Sequence, residues 1–161
     1  YTHAAVWTII AAAKMKDAKL VDIVFNTLSP ARRSSKDPDL YRAEPYVGPG
    51  NSDGPLSEQP GRAGWTWYTG SAGWLYRSLI EHLIGIRPTG KGISIAPSTQ
   101  RRWKSASFSF TLRGGEYELR VKNPNEKTLD SDFSLKYDGE EIENKTVPYQ
   151  KGKHIIELVY S

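Results

Sequence analysis

Residues 2–16 carry apolar side chains almost without a break: Ala4, Ala5, Val6, Trp7, Ile9, Ile10, Ala11, Ala12 and Ala13. A helix apolar on nearly every face belongs inside a larger structure. Thr2 is placed to cap it, and Lys14 and Lys16 suit the negative end of its dipole. Asp17 restarts the pattern as an N-cap, after which Val21, Val24, Phe25 and Leu28 recur at the spacing of one helical face. So short a turn predicts an antiparallel helical hairpin, and Pro30 is expected to stop its second helix. From about residue 34 to 63 the period is lost among Pro38, Pro45, Pro49, Pro55 and Pro60 and Gly48, Gly50, Gly54 and Gly61. Connections of that length are functional or disordered. Tyr41, Glu44 and Tyr46 favour an ordered active-site loop. Ala72, Leu75, Leu79, Leu83 and Ile84 then define a third helix ending near Gly85.

Beyond Gly85 the period falls to two. Ile93 and Ile95 alternate, as do Phe108, Phe110 and Leu112, then Tyr117, Leu119 and Val121, then Phe133, Leu135 and Tyr137. Gly114-Gly115 and Asp138-Gly139 read as hairpin turns, and Ile155, Ile156, Leu158 and Tyr160 supply a last strand. The expected class is α+β, with helices over 1–85, an antiparallel β-sandwich over 86–161 and a boundary near Gly85–Pro88. Three helices cannot enclose a core around an all-apolar one. A helix that starts at residue 1 without an initiator Met points the same way, so the chain reads as a C-terminal fragment with helical partners upstream.

Composition narrows the chemistry. The 161 residues are 38% hydrophobic and 25% charged, with a net charge of +4, which is ordinary for a globular protein. The absence of cysteine excludes disulfides, thiol catalysis and zinc–thiolate sites, and fits a reducing, cytoplasmic compartment. No apolar run is long enough to span a bilayer, and no signal-peptide pattern is present. Arg32-Arg33 and Arg101-Arg102-Trp103-Lys104 are too short to make nucleic acid the expected partner. His3, His82 and His154 are too scattered for a metal site; His82 and His154 read as structural. No nucleophile elbow or phosphate loop is present, and Glu44 has no second acid for a hydrolytic dyad.

The chemistry concentrates in Gly64-Trp65-Thr66-Trp67-Tyr68-Thr69-Gly70-Ser71-Ala72-Gly73-Trp74, with three tryptophans, one tyrosine, three glycines and three hydroxyls in eleven positions. Thr69-Gly70-Ser71 stands where a helix should begin, a ready anion site, beside rings that suit a sugar face. An aromatic-rich core turn with an ordinary cap accounts for the same residues, and at least two of Trp65, Trp67, Tyr68 and Trp74 are expected in the core. His3 also stands at a helix N-terminus, where it either satisfies loose backbone groups or joins Thr69-Gly70 around one anion. Glu44 either bonds a sugar hydroxyl or holds its loop.

The Tyr1-Thr2-His3-Ala4-Ala5 start, the Glu44-Pro45-Tyr46-Val47 loop and the aromatic motif occur in an order that resembles the C-terminal part of glycoside hydrolase family 94, the inverting β-glycoside phosphorylases. Ile84-Gly85-Ile86-Arg87 and Tyr117-Glu118-Leu119-Arg120-Val121-Lys122-Asn123-Pro124 resemble its C-terminal β-domain. The resemblance implies an α/α six-hairpin barrel followed by a β-sandwich, and a homodimer. It implies phosphate ligands at His3, Thr69, Gly70 and Ser71, with Glu44, Trp67 and Tyr68 against the sugar. It also implies no cofactor and no metal, since inorganic phosphate is itself a substrate. In that family one aspartic acid protonates the leaving oxygen, and no residue here matches its motif, so the chain alone is expected to be inactive. Pro49-Gly50-Asn51 and Asp53-Gly54-Pro55 resemble cellobionic acid phosphorylases more than the phosphorylase-like end of cyclic β-1,2-glucan synthases, so cellobionic acid is the expected substrate, otherwise cellobiose. A non-catalytic carbohydrate-binding module is the reading from another class; it leaves the apolar helix and the Thr-Gly-Ser turn unexplained.

Overall fold

A computed structural model describes all of residues 1–161. The chain is α+β and divides into two compact units, Tyr1–Leu83 and Ile84–Ser161.

In the first unit, α1 (Thr2–Lys14) buries Thr2, Val6, Ile9 and Ala12 along one face. Thr2 does not cap it: the N-cap is Tyr1, and no side chain bonds the free N–H groups there. Lys16 turns the chain in a left-handed conformation (φ 59°). Asp17 then caps α2 (Ala18–Leu28), accepting from the Leu20 N–H at 2.9 Å. The two helices pack together, with Ala18 and Val21 fully buried.

Helix α2 stops just before Pro30, as expected, but a new helix begins at that proline. Ser29 closes α2 and also precedes α3 (Pro30–Lys36), and Pro38 opens α4 (Pro38–Tyr41) in the same way. The first helical position has no intrahelical acceptor for its N–H, so proline costs nothing there and its fixed φ suits the helix. Asp37 accepts from the Leu40 N–H at 2.9 Å to complete the α4 start. The loop that follows carries a two-residue antiparallel pair, β1 (Asn51–Ser52) with β2 (Ala63–Gly64). It ends at α5 (Thr69–Ser78), whose last turns, Leu79–Ile84, widen to a π-helix.

The second unit holds Gly85 near its start at φ +85°, with the Gly85 carbonyl accepting from the Ala96 N–H at 2.9 Å. Its strands in chain order are β3 (Ile86–Pro88), β4 (Ile93–Ile95), β5 (Ser105–Leu112), β6 (Gly115–Lys122), β7 (Ser134–Tyr137), β8 (Glu140–Glu141), β9 (Thr146–Val147) and β10 (Gly152–Val159). They form two sheets, ordered β3-β4-β9 and β5-β6-β10-β7-β8. Alternate residues turn inward: Tyr117, Leu119 and Val121 on β6, Ile156 and Leu158 on β10, and Ile93 and Ile95 on β4 are all buried. The turns are Arg113-Gly114 and Asp138-Gly139, with both residues of each at positive φ, the geometry that matches strand twist in two-residue hairpins.

The unit is not wholly antiparallel. β10 pairs with β7 antiparallel but with β6 parallel, from Gly152 opposite Gly115 to Val159 opposite Lys122. A parallel neighbour needs a long connection, and the excursion through β7, β8 and β9 supplies it.

Candidate anion site at two helix ends

The N-termini of α1 and α5 share a strap, Gly48-Pro49-Gly50, which is buried throughout. The Thr2 N–H donates to the Gly50 carbonyl at 2.9 Å, and the Tyr68 N–H donates to the Gly48 carbonyl at 2.8 Å. Strap and helix meet closely: a Cβ on Gly48 would lie 2.9 Å from the backbone nitrogen of Ala72. Ser71, 1% exposed, donates its hydroxyl within reach of two carbonyls, Pro49 at 2.8 Å and Tyr68 at 3.0 Å. Its side chain is therefore spent on the strap. Of Ser71, expected as a phosphate ligand, the N–H in the first helical turn is what remains available.

Both helix ends are uncapped by side chains. The first α5 bond runs from the Ala72 N–H to the Tyr68 carbonyl at 3.1 Å, so the N–H groups of Thr69, Gly70 and Ser71 precede any intrahelical acceptor. In α1 the first such bond is Ala5 N–H to the Tyr1 carbonyl at 3.1 Å, which frees His3 and Ala4 in the same sense. The two ends are adjacent: a Cβ on Gly70 would lie 3.1 Å from His3 Nδ1 and 3.6 Å from Tyr68 Cε1. Thr69 is exposed and Gly70 and His3 are half-buried. Backbone donors and an imidazole thus lie side by side, a set suited to an oxyanion with two helix dipoles behind it.

Rings wall this site. The imidazole of His3 lies nearly parallel to Tyr1 (centroids 5.8 Å apart, 24°), edge-on to Trp7 (5.4 Å) and tilted against Trp74 (6.0 Å). A second cluster brings together two of the three expected sugar residues: Trp67 Nε1–H donates to Glu44 Oε1 at 3.1 Å, and Tyr46 meets Trp67 edge-on at 6.2 Å, while Tyr68 lies with Tyr1. Glu44 therefore holds its loop in this structure. Trp65 and Trp67 both adopt left-handed backbone (φ 51° and 62°) and stand 77% and 67% exposed. None of Trp65, Trp67, Tyr68 and Trp74 is buried within this chain.

Sequence reasoning passed over Tyr1 and the strap. The strap's only signal is its composition, small residues around one proline. No group of acidic or histidine side chains is placed to hold a metal ion, and no helix is long and apolar enough to cross a membrane. His82 is buried in the first unit and His154 is hydrogen-bonded in the second.

Residues 1–85 match the model of the glycosyl hydrolase 94 superfamily catalytic domain. Among curated proteins, the cyclic beta-(1,2)-glucan synthase NdvB of Rhizobium meliloti is 39% identical over 125 residues, covering 75% of this chain and 4% of the synthase. Solabiose phosphorylase of Paenibacillus borealis is 30% identical over 110 residues, 68% of the chain and 14% of that enzyme. Cellobionic acid phosphorylase of Neurospora crassa is 32% identical over 69 residues, 43% of the chain and 9% of that enzyme. The chain thus spans a small part of the length of each of these relatives.

Proposed function

The chain belongs to the glycosyl hydrolase 94 superfamily, and from that membership we propose that its two adjoining helix ends bind inorganic phosphate in a glycoside phosphorylase. His3, the Thr69 hydroxyl and the N–H groups of Thr69, Gly70 and Ser71 hold the anion. A phosphate oxygen attacks the anomeric carbon of a β-linked glucosyl unit from the face opposite the leaving sugar. The carbon–oxygen bond to that sugar breaks, and its oxygen takes a proton from an aspartic acid outside these residues. The product is α-glucose 1-phosphate, with inversion. Phosphate is already anionic and needs no general base, so one carboxylic acid suffices where an inverting hydrolase needs two. Holding the nucleophile in line can supply on the order of 7–11 kcal/mol of the barrier reduction.

The observation that carries this reading is the pair of uncapped helix N-termini with His3 Nδ1 at 3.1 Å from the missing Gly70 side chain. Trp67 and Tyr68 line the sugar side, and Glu44 positions Trp67. In the proposed whole, unit one closes an α/α six-hairpin barrel. Supporting this, Trp7 on the apolar helix α1 is half exposed in this chain. Unit two forms a β-sandwich; each of its sheets has one apolar, buried face. The enzyme acts as a cytoplasmic homodimer without cofactor.

The test is titration of inorganic phosphate into the chain and its His3→Ala and Thr69→Ala variants. Binding lost in both variants is expected; an unmodified chain that ignores phosphate overturns the reading. The acceptor sugar is open to a second reading. Identity to the cyclic glucan synthase is higher and extends further than identity to the cellobionic acid phosphorylase. That favours the phosphorylase-like end of such a synthase over the cellobionate assignment suggested by the Pro-Gly segments. Phosphorolysis of cellobionate, cellobiose and β-1,2-glucobiose by the enzyme that carries this chain separates the two. On the chain alone, none of the three should be consumed.

A further inference from the structure

One contact beside the anion site has no part in the phosphate chemistry just described. Tyr1 and Tyr68, the residues immediately before α1 and α5, bond through their hydroxyls at 2.8 Å. Their rings meet edge to face, with centroids 6.0 Å apart at 70°. Each phenol also touches the site on its own helix: Tyr1 lies alongside the His3 imidazole, and Tyr68 Cε1 borders the space over Gly70. The strap ties the two helices through main-chain bonds but does not reach the imidazole. The face of that ring toward Tyr1 is set by where Tyr1 stands, and Tyr1, 61% exposed, is held there by Tyr68.

We propose that Tyr1 and Tyr68 are positioning residues of the phosphate site, a hydroxyl latch that holds the Tyr1 ring as a shelf for His3 and keeps the imidazole turned toward Gly70. This inference rests on the phosphate reading. A neutral latch suits the task, because a carboxylate at either position would repel the anion the site is built to take. The hydrogen bond between the phenols, the largest cause, raises the Tyr1 pKa above its ordinary 10.0. The Tyr1 phenol therefore stays uncharged wherever phosphate is a working substrate. Being exposed, the latch sets geometry more than stability.

Inorganic phosphate titrated into the 161-residue chain, followed at the His3 Cε1–H resonance, tests the assignment. Tyr1→Phe and Tyr68→Phe each remove the shared bond and keep the ring. Each is expected to weaken phosphate binding about three- to tenfold, as loss of one modest hydrogen bond does, and to shift the His3 resonance before phosphate is added. The double variant should lose no more than either single one, because both act on one bond. Tyr76→Phe, an exposed phenol on α5, is the control that changes neither readout. Should one variant fold poorly, the other removes the same bond from the opposite side. Full-strength binding in both single variants, or losses that add in the double, overturns the latch while phosphate binding stands. An unmodified chain with no phosphate response removes the phosphate reading and the latch together.

Discussion

Gly70→Ala separates the anion site from the fold around it. Gly70 is the second residue of α5, and its φ is not in the left-handed region, so alanine fits the backbone. Exchanging glycine for alanine in a helix is worth about 0.5–1 kcal/mol in favour of the variant. Against this, the new methyl sits 3.1 Å from His3 Nδ1 and 3.5 Å from Cε1, too close for the imidazole to keep its place. Tilting the ring some 30° from its rotamer costs about 0.5–1.5 kcal/mol. The two effects nearly cancel, so folding stability should change by less than about 1 kcal/mol, a midpoint shift of at most about 4 °C for a chain of this size. Phosphate binding has no such compensation. A displaced imidazole forfeits a charge-assisted bond of about 1.5–3 kcal/mol, which is about ten- to a hundredfold in affinity. Thermal unfolding and a phosphate titration on the same samples give both numbers. A variant that folds normally and binds phosphate as the unmodified chain does would place the anion somewhere other than over Gly70.

Other expectations concern what holds the site and the second unit. Ser71→Ala leaves the Pro49 carbonyl without its 2.8 Å donor in a buried strap, so urea unfolding should show a loss of about 1–3 kcal/mol. Gly85→Ala forces a non-glycine residue to φ +85° with its methyl 2.2 Å from the Ala96 carbonyl, and should destabilise by at least about 2 kcal/mol on the same assay. In the second unit, His154 Nδ1 faces Asp138 Oδ2 at 2.8 Å and Nε2 faces the Lys151 carbonyl at 3.1 Å. Two acceptors around one ring favour the imidazolium. The Asp138 bond, chiefly, raises the His154 pKa above 6.5. Burial of Asp138 works the other way, yet the bonds from His154 and the Ile155 N–H together leave its carboxyl below 3.8. The histidine contribution is fully present below pH 6.5 and is lost as pH rises through the elevated folded value. The aspartate contribution is present above pH 3.8 and is lost as pH falls through the depressed one. Asp138→Asn should therefore cost most stability between pH 3.8 and pH 6.5, and progressively less as pH rises through the elevated His154 value. A cost that does not vary with pH would mean the pair is not charged.

What could be read from the chain depended on how local each feature is. The Asp17 cap acts over three residues, and the inward strand residues Tyr117, Leu119 and Val121 alternate within one strand, so both were open to inspection. Pro30 and Pro38 were ambiguous because proline bars a helix interior and suits a helix start equally. What decides between them is the capping residue before it, and the polar run of α3 gave no periodicity to help. The direction of β10 against β6 depends on the path of the intervening excursion, which no strand pattern records. That the Ser71 hydroxyl bonds the strap was hidden because Pro49, more than twenty residues earlier, cannot be seen in the motif itself. The meeting of His3 with Gly70 is the same case on a longer scale. Helix-end chemistry marked each as an anion contact, and family resemblance suggested that they act together, but their adjacency came from the packing of α1 on α5.

The central position of β10 has a consequence for how the second unit is made. β5 and β6 form one hairpin and β7 and β8 another, and neither touches the other within the sheet; β10 is the strand between them. It is also the last of the five to leave the ribosome. Until Val159 has emerged, the nascent sheet exists as two separate hairpins with bare inner edges, the state in which a β-protein is most open to wrong partners. A frameshift or stop codon that removes only the final strand therefore costs more than one strand's worth of structure: it leaves two hairpins with nothing to join them.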